Sequence, residues 1–416
     1  MRVMKKACRS ADRPFWWPGF ILNLCLPLLF CASVHATEDI LVSGVAGDRW
    51  YVQESSEEDS PQPPGSRTWD YALYLDLGYN QNFNDPGNKL WRSKASTFKV
   101  NNPQLNLAMG YASKEAAAES RWGFEFGFQT GVDTEGLVTQ PPPASNEPVS
   151  HADSLRHLHR ANISYLFPAG KGLAVSAGLI NSFIGYESSL GIQNINYTRG
   201  YISDYVPYFL FGLQASYPVS DTLSLSGFVI GGWNYLTDPN DVPSYGFKAS
   251  WQISPRTTLT QNLYYGPDQA ETGMDFWRFF SDTIIEWKND PFLLALAFDA
   301  GTEKRADVAG NPRHHWTAAA LWFGWHIGGP WNLGLRPEIY WDPDGSGTGA
   351  DQTLKACTLT LEYTFSPVAS NTVVAAVEYR YDRSTGPDGG FFKGDANTLL
   401  PDQHQLIFSI MWTLGS

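Results

Sequence analysis

Along residues 121–131, RWGFEFGFQTG, Trp122, Phe124, Phe126 and Phe128 alternate with Gly123, Glu125, Gly127 and Gln129. Successive side chains of a strand point to opposite faces, so this spacing predicts a strand with one aromatic face and one polar face. From residue 68 onward the alternation recurs. Trp69, Tyr71, Leu73, Leu75, Leu77 and Tyr79 oppose Asp70, Asp76 and Gly78. Leu105, Leu107, Met109 and Tyr111 oppose Gln104, Asn106, Ala108 and Gly110, and Leu223, Leu225, Val229, Trp233 and Tyr235 oppose Ser224, Ser226 and Asn234. Trp331, Leu333, Leu335, Ile339 and Trp341 oppose Asn332, Arg336 and Glu338. Cys357, Leu359, Leu361, Tyr363 and Phe365 oppose Thr358, Thr360, Glu362 and Thr364. A helix would space its apolar residues by three and four instead.

Sixteen segments carry this pattern: 68–80, 103–112, 121–130, 156–167, 172–182, 205–217, 222–235, 244–253, 256–265, 276–287, 291–300, 315–327, 331–341, 354–365, 372–382 and 403–414. Their connections alternate, long after the first, third and fifth segments and short after the second, fourth and sixth, and so on to the end. Long connections on one edge and short ones on the other suit a sheet closed through a bilayer. In hydrocarbon every backbone group must pair, and a closed sheet achieves that without an edge. The expected fold is therefore all-β: a transmembrane antiparallel up-and-down β-barrel of about 16 strands, with short periplasmic turns and longer extracellular loops. Its aromatic faces meet lipid, and Glu125 and Gln129 face a wet lumen. Rings near strand ends (Trp69 and Tyr79, Trp233 and Tyr235, Trp277 and Trp287, Trp331 and Trp341) are expected to form interfacial girdles.

Composition agrees: 14% of residues are aromatic, 38 are glycine, and only 17% are charged. Residues 1–36 read as a cleaved signal peptide. Arg2, Lys5, Lys6, Arg9 and Arg13 precede an apolar run from Phe20 to Ala32 that Pro27 interrupts, and Val34-His35-Ala36 offers small residues for cleavage. Residues 37–67, containing the acidic, proline-rich SSEEDSPQPPGS, are expected to be a flexible periplasmic segment, with the barrel spanning 68–416. Cleavage removes Cys8, Cys25 and Cys31 and leaves Cys357 alone, so no internal disulfide is expected. It also leaves 24 Lys and Arg against 41 Asp and Glu, a net charge of −17, which argues against nucleic acid as a partner.

The stretch NSFIGYESSLGIQNINYTRGYISDYVPY (181–208) follows the fifth segment. Its Gly185-Tyr186-Glu187, followed by Asn196-Tyr197 and Arg199, resembles a motif of the putative β-barrel porin-2 (OmpL-like) family of bacterial outer membranes. The resemblance covers residues 68–414 and implies a porin-like channel without a cofactor, but no substrate. Leu406, Phe408, Ile410, Trp412 and Leu414 alternate as a signal for the barrel assembly machinery should, although Gly415-Ser416 replace the usual terminal aromatic.

Other motifs weigh less. GSGTG (345–349) lies between two amphipathic segments, without the strand and helix that a phosphate loop needs. Asp342 and Asp344 beside it lack a full calcium ligand set. His157 and His159 share a face and, with His151 nearby, suit a metal geometrically but lack an evident third ligand; a polar rim is the plainer reading, as for His314 and His315. In outward phase the histidine pair also raises a lipid hydrolase, for which no outward serine with a supporting carboxylate or amide is identifiable.

Charge on the inward face is the remaining signal. Asp70, Asp76, Glu125, Asp282, Glu286, Asp299, Glu338, Glu362 and Glu378 stand against Arg160, Lys248, Arg278, Arg336 and Arg380. So many ionised groups call for water inside, with some cross-strand pairing such as Glu378 or Glu362 with Arg380. The expected function is a channel for passive diffusion of small hydrophilic solutes or ions across the outer membrane, with no cofactor, no metal and no catalysis. Its partners are membrane lipid, the permeating solute and the assembly machinery, and its oligomeric state is open. A non-conducting adhesin or structural barrel is the alternative. Gln129 and the charged residues above, Asp70, Asp76, Asp299 and Lys248 aside, are the candidate pore lining. Residues 183–204, with few charges and several apolar residues, are expected to fold inward as a constriction through Tyr186, Glu187, Asn196, Arg199 and Asp204, with Glu187, Arg199 and Asp204 meeting inward groups such as Arg160 and Glu125; the alternative is a loop that only caps the barrel.

Overall fold

The computed structural model describes residues 69–136, 156–233, 235, 240, 242–368 and 370–415. The expected signal peptide and periplasmic segment, Asn234 and His151 lie outside the described residues.

Among those residues the barrel strands begin with β1 (Asp70–Asn82), β2 (Pro103–Lys114), β3 (Trp122–Thr130), β4 (Leu158–Phe167), β5 (Leu173–Asn181) and β6 (Phe209–Pro218). They continue with β7 (Leu223–Ile230), β8 (Ser244–Ser254), β9 (Thr257–Pro267), β10 (Trp277–Asn289) and β11 (Phe292–Lys304). Then follow β12 (Arg313–Gly328), β13 (Trp331–Asp342), β14 (Gln352–Val368) and β15 (Asn371–Thr385). After a small hairpin, β16 (Phe391–Lys393) with β17 (Thr398–Leu400), the chain enters β18 (Asp402–Gly415), which pairs with both β15 and β1. Every neighbouring pair is antiparallel, each barrel strand pairs with the next one along the chain, and β18 returns to β1, so the sheet closes without an edge. The connections alternate as expected, and β1 starts on the same short-turn side where β18 ends.

Strand after strand exposes its apolar face outward. Leu359, Leu361, Tyr363 and Phe365 of β14 are exposed, whereas Thr358, Thr360 and Glu362 are buried. Outward rings gather at the two strand ends. Trp122, Tyr165, Trp251 and Trp331 lie toward the short turns, and Tyr245, Tyr265 and Trp341 toward the loops. Cys357 is exposed on the outward face, paired across the sheet with Pro337 and Tyr381. A membrane-impermeant maleimide is therefore expected to label it slowly in lipid and rapidly after unfolding. Current block by the same reagent would show that this strand is turned the other way.

Face assignments made from periodicity need correction in β2 and after β7. In β2 the pairing with β1 slips between Asp76 and Leu77, where Asn106 is an extra residue. A bulge inverts the alternation beyond it, so Leu105 stays outward opposite Leu77 while Leu107, Met109 and Tyr111 are buried inside. There they join one apolar cluster with Ile192, Ile195 and Tyr197, and Ala108, Gly110 and Ala112 are left for lipid. Likewise β7 ends at Ile230, and Trp233 is buried inward rather than standing in a girdle. It packs edge-on against Tyr264 and Phe280, with centroids 5.0 and 4.9 Å apart.

Candidate functional site

Between β5 and β6 the chain turns into the barrel instead of standing above it. Gly185 makes the turn with φ at +92°, a conformation that disfavours side chains, and its N–H donates to Asp282 of β10 at 2.8 Å. Beyond it most of residues 187–206 are buried. Ser188 and Asn194 close the segment on itself through two hydrogen bonds, Ser188 N–H to Asn194 Oδ1 (2.8 Å) and Asn194 Nδ2 to Ser188 O (3.0 Å). The backbone passes so near the wall that a Cβ on Gly334 of β13 would collide with the Ile195 carbonyl.

What holds this loop is a set of ionic and polar contacts distributed around the barrel. Arg336 of β13 donates to Glu187 (2.5 Å) and to the Thr198 carbonyl (2.6 Å). Glu187 also accepts from the Trp322 indole (3.1 Å) and the Gly200 N–H (2.7 Å). Burial by itself would push the Glu187 carboxyl up, but Arg336 and these donors hold it below the usual carboxylate range. Glu378 of β15 accepts from the Tyr197 N–H (2.9 Å), from Thr360 (2.6 Å) and from the Thr198 hydroxyl. Tyr197 donates to Asp76 of β1 (2.8 Å), Asn196 to Thr360 of β14 (2.8 Å), and the Tyr201 N–H to Glu338 (2.6 Å). Tyr186 reaches Glu286 of β10 (2.7 Å).

Other loops complete the filling, and nothing in the periodic pattern signalled them. A short helical turn at Asp133–Gly136 brings Asp133 to Arg199 (2.9 Å), and Arg199 also donates to the carbonyls of Ser188 (3.1 Å) and Ser189. Burial pushes the Asp133 carboxyl up against the pull of Arg199. From the β1–β2 loop, buried Lys94 pairs with Asp204, which accepts from Ser96 as well (2.6 Å). Trp91 of the same loop and Tyr201 both lie against the Arg380 guanidinium, 4.9 and 4.7 Å from their ring centroids.

The partners differ from those the sequence suggested. Arg380 pairs with Asp382 (2.8 Å) and Glu338 (3.1 Å), not with Glu378, whose oxygens are taken by the loop. Glu187, Arg199 and Asp204 meet Arg336, Asp133 and Lys94, not Arg160 or Glu125. Glu125 instead accepts from Tyr111 (2.6 Å) and Asn162 (2.7 Å), and Arg160 donates to Asn181 and to the His159 carbonyl (2.5 and 2.7 Å). Asp282 and Asp299 face each other across β10 and β11, and Glu362 is buried on β14. His159 is the extra residue of a second bulge, between β3 and β4. It is buried rather than outward or on a rim, and its Nδ1 lies 3.1 Å from Gln129 Oε1. His157 Nδ1 lies 3.0 Å from the Gln129 carbonyl. In the GSGTG loop Asp342 caps the N–H groups of Ser346, Gly347 and Thr348 at 2.7 to 3.0 Å, and Asp344 accepts from the His315 N–H (2.8 Å). Asp342 thus orders its own turn, as Asx residues do, while Asp344 ties the loop to the start of β12.

This filling is lopsided. Arg336, Glu338, Thr358, Thr360, Glu378 and Arg380, inward on β13–β15, are buried. Gln214, Ser226, Lys248, Ser250, Thr258 and Thr260, inward on β6–β9 toward the short turns, are only partly covered. Toward the loops lies a cavity of about 360 Å³, between Tyr205 and Tyr208 on one side and Trp233, Arg278, Glu303 and Trp316 on the other.

A family profile described as putative β-barrel porin-2, OmpL-like, matches residues 70–414. No curated protein matches the chain. Among solved structures it is similar to OmpF of Salmonella typhi in complex with daunomycin, at 10% identity over 83% of this chain and 97% of that one, with a TM-score of 0.53. It is also similar to OmpT of Vibrio cholerae, an outer membrane protein solved in a trimer form, at 11% identity over 84% of this chain and 99% of that one, with a TM-score of 0.51. At such identities the likeness concerns the fold.

Proposed function

Because the chain belongs to the putative β-barrel porin-2, OmpL-like family of the outer membrane, we propose that it is a channel through which small hydrophilic solutes diffuse along the part of the lumen that its inserted loop leaves free. The carrying observation is the contrast within one barrel. Inward residues on β13–β15 are sealed by the loop, while the hydroxyl- and amide-rich inward faces of β6–β9 are only partly covered. Gln214, Ser226, Ser250, Thr258 and Thr260 hydrogen-bond passing solutes as readily as water and hold none tightly, which suits conduction. Residues 183–204 act as the constriction; Glu125 and Glu286, which are partly exposed, flank the passage, while Gln129, Arg160 and Asp282 are buried behind it. Arg336, Glu338, Glu362, Glu378 and Arg380 belong to the wall on which the constriction is built. Arg278 stands at the outer mouth.

No catalytic step is part of this reading. The histidine pair proposed for a lipid hydrolase is engaged by Gln129, with His159 inside the barrel. Acyl chains are the partner of the outward aromatic and aliphatic face, and β18 is the strand offered to the assembly machinery. An adhesin would need its specificity in the outer loops, whereas here the loop after β5 is spent on the interior.

Recording from purified protein in planar bilayers tests the reading. Discrete conductance steps are expected, with a modest preference for cations. Arg199, Arg336 and Arg380 are each neutralised by a carboxylate at 2.5 to 2.9 Å, and acids outnumber bases along the inward faces. The preference should weaken as salt rises and screens the field. A silent bilayer, or anion preference in a low-salt gradient, would contradict the channel or its polarity respectively.

A further inference from the structure

The cavity at the outer end of the lumen has a composition unlike the hydroxyl-lined passage beneath it. Arg278, the first inward residue of β10, forms ion pairs with Asp268 (2.7 Å) and Glu303 (3.0 Å). Its guanidinium lies 5.0 and 5.6 Å from the ring centroids of Trp233 and Trp316. Arg305 stands 3.9 Å from Glu303 and pairs with Asp307 at 2.6 Å. Burial pushes the Asp268 carboxyl up to about 6 even with Arg278 beside it. Lys94 neutralises Asp204 on the opposite wall. Asp268 and Glu303 thus face two guanidiniums, of which Arg305 is shared with the exposed Asp307, so the site presents opposed charges already paired with one another rather than a field of one sign.

Leaving aside Asp204 Oδ2, which pairs with Lys94, three polar atoms in this lining have no hydrogen-bond partner. They are the Tyr208 hydroxyl, on a residue 6% exposed, Glu303 Oε1, on a residue 1% exposed, and Arg278 Nε. A buried polar group left unsatisfied is costly, so donors and an acceptor together at one cavity call for a ligand that offers both. Aromatic rings form much of the remaining wall. Trp316 lies over Gly301, where a Cβ would collide with the indole, and Tyr340 packs on Tyr205 with centroids 4.8 Å apart. About 360 Å³ falls at the small end of ligand pockets, which run from about 300 to 1,000 Å³.

We propose that this cavity is a recognition subsite for an uncharged polyhydroxylated solute, a mono- or disaccharide, entering from the loop side. Such a solute has apolar C–H faces to lie on aromatic rings, and hydroxyls that both donate and accept. Fixed carboxylate–guanidinium pairs present acceptors and donors side by side, matching adjacent hydroxyls better than they match an ion. The assignment rests on the channel reading and names its solute class.

The test uses the detergent-solubilised full chain, titrated with glucose, maltose and sucrose while tryptophan fluorescence is followed, and the same sugars added to the loop side of a planar bilayer. Choline chloride and sodium gluconate serve as charged comparisons. At least one sugar is expected to give a saturable fluorescence change and a saturable reduction of current, with neither salt doing so beyond its ionic-strength effect. Tyr208→Phe removes only a hydroxyl, and it and Glu303→Gln are each expected to weaken sugar binding about tenfold. Saturation by choline or gluconate alone, no saturable response to any sugar, or unchanged sugar binding in Tyr208→Phe would each overturn the subsite. Conductance without sugar binding overturns the subsite and spares the channel; sugar binding without conductance does the reverse.

Discussion

Deleting residues 187–199 is expected to leave a folded, heat-modifiable barrel whose single-channel conductance is several-fold larger. The barrel should survive because its sheet is closed by sixteen neighbouring pairings, none of which involves those residues. Lipid-facing burial is likewise untouched. Conductance should rise because the segment occupies the lumen from Glu187, on Arg336 and Trp322, to Thr198, on Glu378 of β15. Removing it exposes the inward charges of β13–β15 to water, which is favourable for ions no longer paired by the loop. A correctly folded deletion variant with parental conductance would show that the loop does not set the narrowest point.

Glu187→Ala should loosen the same loop without shortening it. Arg336 and Glu187 are both buried, and truncating one partner of such a pair strands the other charge at a cost of about 3–5 kcal/mol. Glu187 additionally collects the Trp322 indole and the Gly200 N–H, so those donors are orphaned too. That cost falls on the docked loop and not on the barrel, and is relieved when the loop leaves the wall and Arg336 hydrates. The expected results are raised, noisier conductance and new protease cleavage within 187–204, with the heat-modifiable barrel unchanged. The double variant Glu187→Gln, Arg336→Met strands no charge and should stay close to the parent in both measurements. Parental conductance and protease resistance in Glu187→Ala would mean that the loop is held mainly by its apolar contacts, around Ile192, Ile195 and Tyr197.

The barrel itself was legible because its cause is local. Lipid acts on every strand separately, so each must place apolar side chains at every second position, and a period of two appears wherever a strand crosses. Sixteen such segments with alternating long and short connections leave few ways to close a sheet. The inward bias of residues 183–204 was also visible, since Ile184, Leu190, Ile192 and Ile195 are out of place in a loop bathed by water. Tertiary structure decided the rest. A single extra residue, Asn106, inverts the faces beyond it, and periodicity carries no mark of that, because Leu107, Met109 and Tyr111 keep alternating across the bulge. The ion pairs join positions as distant as Glu187 and Arg336, or Lys94 and Asp204, brought together by closure of the sheet and inward folding of three loops. Which carboxylate takes which arginine depends on how the loop seats in a shared interior. A one-dimensional pattern records which face a residue has, but not what stands across the lumen from it.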